Sequence, residues 1–350
     1  MTLSSPQASE CAGNHKTNKK KKEMKKKLIL LSIILTFATG IFAANKYDNP
    51  DTIVVARDGT GEFRTIAEAV EVCRAFMEYH KVIYVKKGTY KEKLIIPQWL
   101  TNIEILGEDR DATVITYDDH ANIVNPQTGK GIGTFRTYTV KVEGSSITFK
   151  NITIENNSAR LGQAVALHTE GDRLVFINCR LLGHQDTVYT GIAGTRLLFK
   201  NCYIEGTTDF IFGPSTAWFE NCEIRSRANS YITAASTPQD RPYGYVFNNC
   251  RLTADEGIDK VYLGRPWRDY GHTVFMNCEM GSHIRPEGWH HWQKERQQTA
   301  RYMEYNNRGE GAKTDKRAEW TRRLTKKEAQ KITMEEVFGI NNTWRPENAE

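Results

Sequence analysis

The chain has 350 residues, 39% of them hydrophobic and 26% charged, with 36 aromatic side chains. This composition excludes a disordered chain, a collagen and a polytopic membrane protein, and it allows one elongated domain with a sizeable core. The formal charge of +6 sits in residues 1–44, where eight lysines face Glu10 and Glu23; the other 40 basic side chains balance 40 acidic ones, so no nucleic-acid partner is expected.

In chain order, the first feature is a leader. Lys25, Lys26 and Lys27 precede an apolar run from Leu28 to Ala44, the order of a secretory signal peptide. Cleavage near Ala43 or Ala44 is expected, although Phe42 suits the second site poorly. An uncleaved membrane anchor is the alternative, because the run is just long enough to span a bilayer. No cysteine ends the run, so lipid attachment is not expected. Met24 is a more natural start than Met1, which makes residues 1–23 an upstream extension. The protein is therefore expected to be exported, to a periplasmic or extracellular destination. Residues 45–350 form one domain with no membrane span.

Thr65 and Glu68 have capping-box spacing, and Ile66, Ala69, Val70, Cys73 and Met77 then lie on one helical face. This helix is expected to cap the open N-terminal end of the domain. Thr325 and Glu328 start a similar helix near the C-terminus, where a second end cap is expected.

Between them lies a repeat. The pattern is Phe, any residue, Asn, Cys or Ile, any residue, then an aliphatic or Met. It begins at Phe149, Phe176, Phe199, Phe219, Phe247 and Phe275, at intervals of 27, 23, 20, 28 and 28 residues. Periods in the twenties, with one short alternating strand per unit, indicate a solenoid. No leucine ladder with a helical return is present, which argues against leucine-rich repeats. The fold class expected is all-β: a right-handed parallel β-helix with coils about 4.8 Å apart, an N-terminal capping helix and a C-terminal helical and loop tail.

Asn at a fixed phase suits a turn, since it tolerates left-handed backbone and can bond its copy in the next coil. The Phe and Cys positions then point inward. Five of the seven cysteines share that phase, and parallel in-register thiols reach disulfide geometry poorly, so free buried thiols are expected. No Cys/His spacing suggests zinc, and the His290-His291 pair reads as surface rather than ligand.

The repeat also serves as a ruler. Asp186 lies 10 residues after Phe176, and Asp209 lies 10 after Phe199. Gln163 precedes Phe176 by 13, as Asp186 precedes Phe199. Arg265 precedes Phe275 by 10, as Asp209 precedes Phe219. One column should therefore hold Gln163, Asp186, Asp209 and Arg265, with Gln185 beside it. Either Asp alone reads as a turn residue. Together they read as a site. Two stacked carboxylates repel, so one keeps its proton while a nearby Arg keeps the other ionised. Two amides can hold an oxyanion. The set suits attack on an ester carbonyl by a carboxylate. Tyr189 and Trp267 flank the column and suit sugar stacking, while Phe210 should face the core.

These residues fall in stretches that resemble the pectin methylesterase (pectinesterase) family. The stretches are Gly88-Thr-Tyr90-Lys-Glu92, Gln163-Ala-Val-Ala-Leu167, Gln185-Asp186-Thr-Val-Tyr189, Asp209-Phe-Ile-Phe-Gly213 and Leu263-Gly-Arg265-Pro-Trp267. Asp58-Gly-Thr-Gly-Glu-Phe63, Pro286-Glu-Gly-Trp289 and Glu304-Tyr-Asn-Asn307 are similar too, so the likeness runs from about Asp51 to Trp344. Val188 stands where the family usually has Leu. The resemblance implies a parallel β-helix that removes methyl esters from homogalacturonan (pectin), giving methanol and pectate without metal or cofactor. It implies Asp209 as nucleophile, Asp186 as acid and base, Gln185 as oxyanion donor assisted by Gln163, and Arg265 as the group orienting Asp209. Tyr189, Phe212, Trp267 and Trp289 would line sugar subsites. A monomer is expected. A β-helix lyase or polygalacturonase and a noncatalytic polysaccharide-binding solenoid are the alternatives; a lyase would need calcium carboxylates where this column carries amides.

Overall fold

The computed structural model describes residues 1–2, 20–27, 45–339, 344 and 346. The expected signal run Leu28 to Ala44 lies outside the described residues. The chain forms two units, Met1–Asp48 and Asn49–Glu350. In the first, residues 20–27 are helical. No helix among the described residues is long and apolar enough to cross a membrane.

The second unit is a parallel β-helix of three sheets, with 11, 7 and 8 strands. Each complete coil gives one short strand to each sheet, and the outermost coils at the two ends add strands to the 11-stranded sheet alone. One coil contributes Leu167–Thr169, Leu174–Ile177 and Arg180–Leu182. The next stacks Val188–Thr190, Arg196–Lys200 and Tyr203–Gly206 on them, all parallel.

In-register stacking puts like residues on like residues. The six repeat phenylalanines are all 0% exposed. Their rings stack with centroids 4.3 to 5.4 Å apart. The six repeat asparagines take φ between 50° and 58°, the left-handed turn expected of them. Asn178 donates to Asn151 at 2.9 Å, and Asn306 extends the ladder from Asn277. In the middle coils the ladder breaks. There Asn249 donates to the Glu220 carboxylate, a charged acceptor that outcompetes a neighbouring amide.

The cysteines Cys179, Cys202, Cys222, Cys250 and Cys278 are buried free thiols. Each donates to the carbonyl of a Phe one coil earlier, as Cys202 does to Phe176 at 3.3 Å. Burial pushes the Cys179, Cys222 and Cys250 thiols well up from their ordinary range, which removes the reactive thiolate. All five are at most 2% exposed, so a soluble alkylating reagent should leave them unlabelled in the native protein and label all five in denaturant. Rapid labelling of the native protein, counted by mass, would contradict this packing.

Both capping boxes form. Helix α1, Ile66–Glu71, has reciprocal bonds between Thr65 and Glu68. It is shorter than the sequence pattern suggests and stops before Cys73 and Met77. The chain turns at Phe76, where φ is 55°, and its N–H bonds the Trp99 carbonyl. Cys73 and Met77 are still buried, through the turn rather than along a helix. Near the C-terminus, α2 (Lys326–Ala329) and α3 (Met334–Phe338) do not cap an end. Leu324, Ala329, Ile332, Val337 and Phe338 cover an apolar row on the outer face of the 11-stranded sheet: Val175, Leu198, Trp218, Val246 and Val274. Burying that row outweighs covering a coil end, because it offers a longer apolar strip.

Candidate active site

The site lies on the outer face of the seven-stranded sheet. Alternation in the strands sets the facing. Val188–Thr190 buries Val188 and Thr190 and leaves Tyr189 half-exposed. Val188 pairs with Ile211 and Tyr189 with Phe212. Two residues before Val188 and Ile211 stand Asp186 and Asp209, so the carboxylates occupy the same register on neighbouring coils, about 4.8 Å apart along the backbone. Both adopt left-handed backbone, with φ of 69° and 50°. Asp186 donates its N–H to Thr208 O, and Asp209 donates to Tyr231 O, which continues the ladder past each turn. Phe210 is fully buried, as the alternation requires.

The rest of the column differs from the ruler. Leu167 pairs with Val188, so Val165, not Gln163, stands in register with Asp186. Thr233 pairs with Ile211 and with Gly264, so Tyr231 and Tyr262 follow Asp209 in its column, and Arg265 shares a register with Ala234 and Phe212 instead. The reason is turn length. Counting from Phe crosses a turn between two sheets, and that turn is two residues longer after Thr190 than after Thr169. The ruler therefore slips by two at Gln163 and by three at Arg265.

Arg265 nevertheless reaches Asp209. Its Nε donates to Oδ1 at 3.0 Å and its Nη2 to Oδ2 at 2.6 Å, a two-point pair. Asp186 is 8% exposed and Asp209 5%. Burial drives the Asp186 carboxyl well above the usual range; the Asp209 charge adds to this and Arg265 opposes it. Burial also raises Asp209, against the hydrogen bonds and charge of Arg265. Asp186 is therefore the better proton holder of the two. Gln185 precedes Asp186 directly, and its carbonyl accepts from Ala164, the residue after Gln163. Both glutamines are half-buried. No described residue bonds either side-chain amide, so both stay open to a ligand.

Aromatic side chains line the cleft. Tyr189 and Phe212 lie 4.7 Å apart, and Phe212 and Trp267 5.8 Å. Phe135, on a loop wall that no sequence motif marks, lies 4.8 Å from Tyr189. Trp289 is a correction. It is 2% exposed, packs on Phe275 and Tyr302, and donates its indole N–H to Glu304 at 3.0 Å. It presents no face to a sugar. Trp292, three residues later, reaches the cleft and covers Arg265 at 3.8 Å. Tyr231 covers the opposite side at 3.9 Å. The Trp-His-His-Trp spacing is the available signal for Trp292, but it lies outside the repeat and lacks a phase. Among the described residues, no group of three or more His, Cys, Asp or Glu is placed to hold a metal ion. His290 and His291 stack on each other at 4.7 Å, and His290 Nδ1 accepts from the Trp292 N–H.

A family model described as Pectinesterase matches residues 52–341. The chain belongs to the pectinesterase family. A pectinesterase/pectinesterase inhibitor of Brassica campestris is 36% identical over 312 residues, covering 85% of this chain and 52% of that protein. The chain spans about half the length of the first curated relatives it matches. Among solved structures, the pectin methylesterase from carrot is 32% identical, with a TM-score of 0.77, covering 83% of this chain and 93% of that one. A pectin methylesterase crystallised with a hexasaccharide is 29% identical with a TM-score of 0.73, covering 84% and 98%. This pectinesterase-family chain thus shares its fold with solved pectin methylesterases along nearly the whole β-helix.

Proposed function

We propose that the chain hydrolyses methyl esters of galacturonate units in pectin, by an aspartate nucleophile with a second aspartate as acid and base. The observation that carries this reading is the Arg265-bound Asp209 in register with Asp186, beside two open amides. In the first step an Asp209 oxygen attacks the ester carbonyl carbon. The oxygen that gains negative charge is held by the Gln185 amide, with Gln163 assisting. Collapse breaks the bond to methoxide, which takes the Asp186 proton and leaves as methanol. Asp209 is then joined to the sugar carboxyl as a mixed anhydride. Asp186, now ionised, removes a proton from water, which attacks the sugar carbonyl and releases the carboxylate and Asp209. Tyr189 and Trp267 offer rings to the sugar backbone, and Phe212, 4% exposed, packs against both and backs them. The hexasaccharide bound to a structural neighbour supports a long oligosaccharide substrate. Residues 1–44 act as a leader that directs export in this reading, and the body works as a monomer.

The two carboxyls should titrate in opposite senses. Asp209 must be ionised, so activity falls as pH drops through its pKa. Asp186 must be protonated, so activity falls as pH rises through its raised pKa. A bell results. In Asp186→Asn the residual activity should lose the alkaline limb and keep the acid limb. An unchanged alkaline limb in that variant would assign the acid to another group.

A further inference from the structure

The Arg265 guanidinium is enclosed in a stack longer than the site itself. Trp292 lies 3.8 Å from it on one side and Tyr231 3.9 Å on the other. Beyond Tyr231, the Tyr262 ring stacks at 5.3 Å with an 11° tilt, and Arg285 lies 4.8 Å over Tyr262. Arg296 lies 5.9 Å over the Trp292 ring. Three guanidinium groups and three rings thus form one line of contacts, in which Tyr231 and Tyr262 stack directly on each other.

The fold builds this line from two sources. Tyr231 and Tyr262 are paired residues of adjacent coils, in the column that starts with the two carboxylates. Trp292 arrives from the segment Pro286 to Trp292. That segment is pinned by the His290 N–H on Gly264 O at 3.1 Å and by the Trp289 indole on Glu304. Trp292 itself takes φ of 58°, a conformation that L-residues avoid and that its surroundings must enforce.

A guanidinium attracts rings through its faces and carboxylates through its edge, so the two contacts do not compete. With both faces occupied, the Nε–Nη2 edge has one direction left, and Asp209 lies in it. We propose that Tyr231 and Trp292 are positioning residues, which clamp Arg265 edge-on to Asp209 and so fix both the place and the charge of that carboxylate. This rests on the esterase reading for its kinetic consequence only. The charged and titratable groups that face Asp209 are Asp186 from the coil before, Arg265 from beyond it and buried Tyr302 from within the core. Along the stack stand Arg285, His290 and Arg296. Truncating Trp292 frees Arg265 first among them.

The test compares wild type, Trp292→Ala, Trp292→Phe and Tyr231→Ala. For Trp292→Ala, kcat on methyl-esterified pectin should fall about a hundredfold, since misplacing a catalytic contact by an ångström has that size of effect. KM should stay unchanged, and the acid limb of the pH profile should move to higher pH. Tyr231→Ala should act in the same sense, and Trp292→Phe should restore the limb. A raised KM with the acid limb in place would mean that Trp292 binds sugar, and would overturn the proposal. So would a fall in kcat that follows lost folded protein alone, with the limb unmoved. A second readout is independent of activity: the carboxyl carbon-13 titration of Asp209, identified by its loss in Asp209→Asn. Its midpoint should rise in Trp292→Ala and return in Trp292→Phe; an unmoved midpoint overturns the clamp. If wild type releases no methanol, the esterase reading fails while this titration still decides on the clamp.

Discussion

Asp209→Asn is expected to lower kcat for methanol release from esterified pectin by about a thousand- to ten-thousand-fold, the scale of losing a nucleophile while the rest of a site survives. Asn is the informative replacement. Position 209 holds φ of 50°, which Asn tolerates, whereas Ala would add strain of about 1–2 kcal/mol. Ala would also leave the Arg265 charge without a partner in a site where Asp209 is 5% exposed. The Asn carbonyl still accepts from Arg265 and keeps the local shape. The two glutamines and the aromatic wall are untouched, so KM should change little and the loss should appear in kcat. Thermal unfolding of the variant should match that of wild type. Activity within tenfold of wild type would remove Asp209 from the nucleophile's role.

Glu304→Ala should give the largest loss of stability, about 3–5 kcal/mol, the scale of breaking a buried ion pair from one side. Glu304 and Arg317 side chains are each 5% exposed and meet at 2.8 Å. Arg317 also donates to Glu304 Oε2 at 3.2 Å and to the Gly311 carbonyl at 2.6 Å. The same carboxylate accepts the Trp289 indole N–H. Removing it takes the acceptor from the Trp289 indole, the Arg317 guanidinium and the Asn307 amide, and leaves the Arg317 charge with backbone carbonyls alone. Glu304→Gln should lose less, because its amide oxygen still serves one donor. The denaturant midpoint of each variant is the measurement. An unshifted midpoint for Glu304→Ala would show that the pair does not hold this end together. The effect should also reach the site, since Trp289 anchors the segment that delivers Trp292.

The parts of this arrangement that can be read from the sequence are those tied to a fixed phase. The Phe, Asn and Cys positions recur once per coil, so their stacking follows directly from strand alternation. Asp186 and Asp209 share a register, as expected, because the path from Phe176 to Asp186 has the same length as that from Phe199 to Asp209. Gln163 and Arg265 leave the expected column because the count runs back across turns of unequal length, and turn length is the least constrained part of a coil. Arg265 still finds Asp209 because its side chain is long enough to cross the three-residue offset. Trp289 and Trp292 lie beyond the repeat, where no phase distinguishes an inward Trp from one at the cleft. The seat of α2 and α3 has a visible signal: the residue before each of five repeat phenylalanines is Val, Leu or Trp, which marks a second apolar row facing outward.

The most direct measurement follows methanol and polymer length together as the wild-type chain acts on methyl-esterified homogalacturonan, with Asp209→Asn and Asp186→Asn alongside. Methanol should accumulate at constant chain length with wild type and fall to near background with both variants. Shortened or unsaturated chains without methanol, or full methanol release by either variant, would contradict the pairing of Asp186 and Asp209 as the chemical centre.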